Sequence, residues 1–416
     1  MTGSVVAQAI PILLSPVLTR LYVPEDFAAL ALFLSVSTVI SGVGAARYEQ
    51  AILLPPADED ALNIVALSWL ILTSLCATLA LLIAVSYGSL PASWLETLHG
   101  DWLYLLPVAV FVTTSFQILS LWNNRCGRFP QLAVSRAAQG TAAGSAQCGL
   151  GYGGLHGGGL IWGWLLGQCV GVWMLLRSNL ASLRLGRPHI NRQRMAANAR
   201  YYKRFPLLST WGSVLDSSAF MVVLLIVSHT FSSNVTGLFS FTQRVLALPL
   251  FLISSAIAQV LHQRIARMNN EDADGILPYV LRAAAVLTAI AIPFVVLLSL
   301  FGVELFTFVF GATWTEAGRY AGLLSLAVGI RFIVSPLTVV LALNHNIKSS
   351  VQWQALYFFS VVITLSLGSS LPIEDFLKLY VAHELLLYSL YFIVIVKGAL
   401  RRPEPVTQPL ADDVSI

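Results

Sequence analysis

Charge is what this sequence has least of. Only 11% of its 416 residues are Asp, Glu, Lys or Arg, against roughly 25% in an ordinary soluble domain. A surface facing water needs those charges and a surface facing lipid does not, so a soluble globular class is excluded. The net charge of +4 is too small and too scattered to point to nucleic acid. Cysteine is scarce as well. Cys76, Cys126, Cys148 and Cys169 show no metal-ligand spacing, which excludes a disulfide framework and leaves free thiols. No basic stretch precedes the first apolar run, Gly3 to Leu18, so a cleavable leader is not expected. There is no strong internal repeat. No nucleophile–base set, zinc motif or phosphate loop survives inspection, and the loops on the less basic side are too short to fold a catalytic domain. The chain therefore reads as a non-enzyme without cofactor or metal.

What the sequence has in abundance is apolar length. It is 57% hydrophobic with a mean hydropathy of +0.77, and a spanning helix needs about 20 such residues. Twelve spans are predicted, at 3–19, 27–54, 61–87, 103–123, 130–150, 157–177, 206–229, 234–257, 280–301, 318–343, 351–370 and 374–397. The fold class is an all-α integral membrane protein, with two six-helix lobes around a central cavity. The expected division is an N-terminal lobe over 1–177, a basic cytoplasmic linker over 178–205, a C-terminal lobe over 206–397 and a disordered tail over 398–416. Two lobes of even helix number share one orientation, a design used by secondary transporters. Placing the basic residues inside puts Arg125, Arg128, the run from Arg184 to Arg204, Arg264, Arg267, Lys348, Lys397, Arg401 and Arg402 on the cytoplasmic side. Arg20, Glu96, Asp101, Glu304, Glu316, Glu374 and Asp375 then fall outside. Both termini are expected in the cytoplasm.

Some motifs invite a chemical reading that their context refuses. "GLGYGG" (Gly149, Gly151, Gly154) has dinucleotide-binding spacing, but that chemistry needs a strand before it. Here it joins two spans and reads as a tight hairpin. Gly163, Gly167 and Gly171 extend the same story as a flat face for a neighbouring helix. Asp58 in "DED" reads as a helix N-cap, not as half of a metal site.

The informative residues are charges inside the apolar runs. Each costs about 2.5–3.5 kcal/mol at mid-bilayer even on the gentlest scale. Arg244 lies near the centre of the eighth span, with Pro249 beyond it to kink the helix. Arg331 lies in the tenth span, Arg136 in the fifth and Arg47 in the second. The acids are fewer: Asp216 in the seventh span and Glu384, beside His383, in the twelfth. Asp216 and Arg244 lie at depths that allow an ion pair. Arginines outnumber the acids, and a surplus of guanidinium in a cavity calls for an anion, phosphate above all. Arg47 and Glu49 stand two apart, so on a continuous helix they point to opposite sides and cannot pair. Arg47 is expected to face the cavity, about 12 Å inside the helix end, and Glu49 to brace or gate against a basic cytoplasmic segment.

"AQAIPILLSPVLTRLYVPEDF", "ARYEQAILLP", "LWNNRCGRFPQLAVSRAAQG", "YYKRFPLLST" and "TGLFSFTQRVLALPLFLISSAIAQVLHQRI" resemble bacterial O-antigen and exopolysaccharide flippases. These belong to the multidrug/oligosaccharidyl-lipid/polysaccharide exporter superfamily. Ala28 departs from the glycine that relatives often place after "PEDF". The resemblance implies alternating access in the bacterial cytoplasmic (inner) membrane, with an undecaprenyl-diphosphate-linked oligosaccharide as cargo. It implies cavity arginines on the first, second and eighth spans, hence Arg20, Arg47 and Arg244. It also implies Na⁺ or H⁺ as coupling ion, at an acid of the seventh span (Asp216) with Glu384 as the other candidate. Partners would be the lipid bilayer, a polysaccharide polymerase and chain-length machinery, with no nucleic acid. The alternatives are a cation-coupled multidrug extruder, which should have an acidic cavity, and a polysaccharide polymerase or ligase, which should have a large periplasmic loop.

Overall fold

The computed structural model describes residues 2–86, 100–203, 205–270, 276–343 and 347–400. The helices are α1 (Thr2–Leu21), α2 (Pro24–Val43), α3 (Asp58–Ser86), α4 (Leu106–Arg125), α5 (Phe129–Tyr152), α6 (His156–Gly186), α7 (Arg192–Tyr201), α8 (Thr210–Thr230), α9 (Ser233–Asn270), α10 (Ile276–Phe310), α11 (Thr315–Val334), α12 (Val339–Leu343), α13 (Ile347–Leu367) and α14 (Ile373–Leu400). All but α7 and α12 reach 20 residues, so the twelve expected spans each correspond to one long helix. Seven are by themselves long and apolar enough to cross a membrane. Others, such as α5 with its glycines, glutamines and Arg136, are too polar to pass that measure alone and pack instead against neighbours. No strand occurs among the described residues.

Local chemistry sets the helix starts. In "VPEDF", Pro24 occupies the first helical position, where its missing N–H costs nothing. Asp26 turns back to accept the Val23 N–H at 3.1 Å, closing one half of a capping box. In α9, Pro249 removes a mid-helix hydrogen bond and its ring crowds the preceding turn. Two helix ends differ from expectation. Asp58 is the first residue of α3 rather than its cap, and it pairs with Arg125 at 2.8 Å. The end of the second span lies earlier than 54: α2 stops at Val43, Ala46 and Arg47 take left-handed φ values of 49° and 62°, and Tyr48–Leu53 forms a 3-10 turn. The apolar "AILL" that prolonged the hydropathic run belongs to this turn and its cap, with its first two residues packed against α3 and α4 and its two leucines exposed. Ala51 and Ile52 are fully buried there.

Within the first half, α5 and α6 approach backbone to backbone as the glycine pattern predicts. A Cβ at Gly163 would lie 2.7 Å from the Gln147 nitrogen, and one at Gly167 2.7 Å from the Gln139 oxygen. The two halves meet at the end of the bundle that carries the α1–α2 turn. The Trp314 indole N–H donates to the Thr19 carbonyl at 3.1 Å, and Asn234 donates to Glu25 at 2.8 Å. Phe27, Phe241 and Trp314 form an aromatic knot with centroids 4.4–5.2 Å apart. The closest approach is Gly237, where an added Cβ would sit 1.8 Å from the Pro24 carbonyl oxygen. Gly237→Ala is therefore expected to force this seam apart at a cost of about 1–3 kcal/mol, the range for overpacking. Thermal unfolding of the purified protein checks it against Gly42→Ala, whose nearest neighbour is Ser217 Oγ at 3.9 Å. An unchanged midpoint for Gly237→Ala would remove the seam from the account.

Candidate functional site

One turn beyond the seam, α2, α8 and α9 separate around a cavity of about 510 Å³. Its walls are mostly apolar, with Phe27, Leu34, Phe220, Met221, Phe239 and Phe241 prominent. Polar atoms come from Ser35, Thr38, Ser217, Ser240, Gln243 and Arg244. Ser35 and Ser240 spend their hydroxyl protons on carbonyls of their own helices, at 2.8 and 3.0 Å. Gln243 reaches the Tyr380 hydroxyl at 3.5 Å, the limit of a hydrogen bond.

Arg244 is the charged residue of this wall. It is half-buried, and no hydrogen bond or ion pair to it is found among the described residues. It lies seven residues along α9 from Gly237, roughly 10 Å below the seam. A guanidinium carries five donors in a planar fork, so a wall that satisfies none of them is open to a planar or tetrahedral oxyanion.

The remaining sequence-derived candidates lie elsewhere. Arg20 is exposed at the end of α1. Arg136 is half-buried on α5 and already partnered. Asp216 sits on α8, but its side chain lies outside the described residues, as does that of Trp211. The expected tail from 401 onward is outside them too, and Glu96 with it. Of the scattered polar and aromatic side chains a sugar could touch, Trp122 and Asn123 are buried in the packing of the first half, and Gln139 is bonded to Gln168 at 2.7 Å.

Arg331 and Glu384 come together. Arg331 Nε lies 2.5 Å from Glu384 Oε2, and its Nη2 donates to the Tyr357 and Tyr380 hydroxyls at 2.6 and 2.8 Å. Tyr357 in turn donates to Glu384 Oε1 at 2.7 Å. The guanidinium is flanked by the rings of Tyr380 and Tyr388, 5.9 and 5.7 Å from their centroids. Glu384 is fully buried, so a carboxylate that is costly to desolvate has both its oxygens occupied. His383 binds Ser360 Oγ through Nε2 at 3.0 Å.

Arg47 and Glu49 also depart from expectation. Their closest atoms are 4.0 Å apart, because the left-handed break removes the helical rotation that would have set them on opposite sides. Glu49 meets no basic residue of another segment among the described residues. Its Oε2 and the Arg47 Nε are buried without partners. Burial pushes the Glu49 carboxyl above the usual carboxylate range, and its own backbone and Arg47 pull back only in part. A carboxyl raised in the folded state favours folding at low pH and loses that contribution as pH climbs from 4.5 through its folded value. Glu49→Gln is thus expected to raise the melting temperature, with the gain larger near pH 8 than near pH 5. A pH-independent gain, or a loss at both values, would contradict it.

The sequence profile of a family described as "polysaccharide biosynthesis protein" matches residues 17–319. No curated protein matches the chain. An inward-facing multidrug resistance MATE family transporter of the MOP superfamily superposes with a TM-score of 0.69 at 15% identity, over 95% of both chains. An outward-facing structure from the same family gives 0.58 at 13% identity, over 96% of this chain and 94% of that one. A Vibrio cholerae MATE transporter gives 0.58 at 11% identity, over 95% and 93%. At these identities the likeness is one of fold, and the fold is that of a multi-pass membrane transporter. Because the profile spans well over half of the chain, the chain belongs to the polysaccharide biosynthesis protein family.

Proposed function

We propose that this transporter moves a lipid-linked oligosaccharide carrying a diphosphate across the bacterial cytoplasmic membrane, and that Arg244 receives the diphosphate. The observation that carries the reading is a guanidinium with no partner among the described residues, in the wall of a mostly apolar cavity between the two halves. A charge kept there without a protein partner is costly, and an anionic cargo recovers that cost through charge-assisted hydrogen bonds. The basic loops put the linker and both termini in the cytoplasm, so the seam lies on the periplasmic side. Arg331 and Glu384 then act as an internal clamp of the second half, not as cargo and ion ligands. Asp216, on the cavity helix α8, stays the candidate for a coupling Na⁺ or H⁺. Arg47 and Glu49 act at the elbow, outside the cavity. The protein is read as a transporter without catalytic chemistry.

A multidrug extruder of this fold would carry lipophilic cations, which a wall whose one charge among the described residues is an arginine repels. The test is transport by purified protein in sealed vesicles. Translocation of a fluorescent polyprenyl-diphosphate oligosaccharide is expected, and accumulation of a lipophilic dye cation is not. The reverse pattern would replace this reading by the extruder.

A further inference from the structure

Between the two halves runs a segment of one charge sign. From Arg177 to Arg204 there are eight Lys or Arg and no Asp or Glu, and no acid occurs anywhere from 102 to 215. Its helix α7 is a docked element. Asn191 caps it by accepting the Gln193 N–H at 2.9 Å, while Asn63 of α3 bonds both the His189 carbonyl and the Asn191 N–H. Arg194 pairs with Glu59, and Asn198 donates to the Asp60 carbonyl. The Tyr48 hydroxyl of the elbow donates to the Ala199 carbonyl at 2.9 Å. Met195, Asn198, Ala199 and Tyr202 are the half-buried side of this contact.

The free side is cationic. At 3.6 residues per turn, Arg192, Ala196 and Arg200 fall within an arc of about 80°, and Lys203 follows directly after the helix. All four are exposed. Two of the nearby acids are spent, Asp58 on Arg125 and Glu59 on Arg194 and His189, and Asp60 lies by the docked side, near Arg194 and Tyr202. Exposed apolar side chains flank the helix along the chain: Leu185 near the end of α6 at 79%, Ile190 just before α7 at 39%, and Tyr201 as its last residue at 79%. α6 delivers the segment to the membrane surface. Its 31 residues span roughly 46 Å against a hydrocarbon core of about 30 Å, and near its end Arg177 stacks on Trp173 at 5.4 Å, an aromatic–cation pair suited to the interface.

We propose that the exposed face of α7, with Arg192, Arg200 and Lys203 as charges and Leu185, Ile190 and Tyr201 as apolar anchors, binds anionic phospholipid headgroups of the adjacent leaflet. Cations with interspersed apolar anchors are the composition of an interfacial segment. An acidic soluble protein would match the charge but not the exposed leucine, isoleucine and tyrosine beside it. Because α7 is bonded to α3 and to the elbow through Tyr48, headgroups held on its outer face also fix Arg47 and Glu49.

The test uses the full chain in nanodiscs of phosphatidylcholine with and without phosphatidylglycerol. With phosphatidylglycerol the melting temperature is expected to rise, and backbone amides 192–203 to exchange more slowly. The triple variant Arg192→Gln, Arg200→Gln, Lys203→Gln should melt like the unaltered protein in phosphatidylcholine yet lose both responses. Its phosphatidylglycerol retention in native mass spectrometry should be about a hundredfold weaker, and replacement of the two arginines by lysine should restore it. If the triple variant does not fold, Arg200→Gln alone should weaken retention about fivefold. Equal responses in variant and unaltered protein would overturn the proposal. So would a chain that ignores phosphatidylglycerol, and co-purification of an acidic protein would then mark the face as a protein-binding surface.

Discussion

Arg244→Ala is expected to abolish export of surface polysaccharide while the protein still inserts at normal abundance. Truncating one member of a desolvated charge pair costs about 2–5 kcal/mol, more than about thirtyfold in affinity for the diphosphate. Lysine at this position keeps the charge but loses the planar fork, so Arg244→Lys should restore export only in part. Stability should move the other way. Without cargo, Arg244 is a charge with no partner among the described residues, so Arg244→Met relieves a desolvation cost and should raise the melting temperature. This opposition between function and stability is what a ligand-binding charge produces. Export surviving Arg244→Ala in a null strain would end the assignment, and a stability loss in Arg244→Met would make the residue structural.

The second large effect is on stability. Glu384→Ala leaves Arg331 charged among Tyr357, Tyr380 and Tyr388 with no carboxylate, and breaking a buried pair in this way costs about 3–5 kcal/mol. Removing both partners is milder than removing one: the double variant Arg331→Met, Glu384→Leu should recover most of the loss, since well-packed apolar replacements of buried pairs are often neutral. Denaturant or thermal unfolding of the two single variants and the double variant checks this. Arg331→Met that folds at full stability but fails to export would instead return Arg331 to the cargo path.

The positions of the helices were legible in the sequence because burial in lipid demands long apolar runs. The apolar run misled where it outlasted its helix. "AILL" after Glu49 looks like more of the second span, yet Ala46 and Arg47 adopt left-handed backbone while Gly44, the residue suited to it, stays right-handed. A depth counted along an assumed helix then placed Arg47 inside the bundle. The partnership of Arg331 with Glu384 was equally hidden. They are 53 residues apart, and spacing says nothing of which helices touch, although each charge stood alone in its apolar run. Arg244 was visible as a central charge. Its neighbours Ser35, Thr38 and Ser217 were not, since hydroxyls are common in spanning helices and only the convergence of α2, α8 and α9 singles these out. The outward face of α7 became readable only once its docking to α3 showed which side was taken.

The two ends of the molecule are fastened by different forces. Apart from the Asn234–Glu25 bond, the seam is backbone at Gly237 and Pro24 and aromatic rings at Phe27, Phe241 and Trp314, packing that dissolved ions barely screen and that weakens on cooling. The opposite end relies on Asp58 with Arg125 and Glu59 with Arg194, pairs whose carboxylates are exposed and which added electrolyte screens over about 8 Å at physiological strength. Ionic strength and temperature are thus two separate dials, one acting on the charge-paired bracing at the α7 end and the other on the aromatic seam.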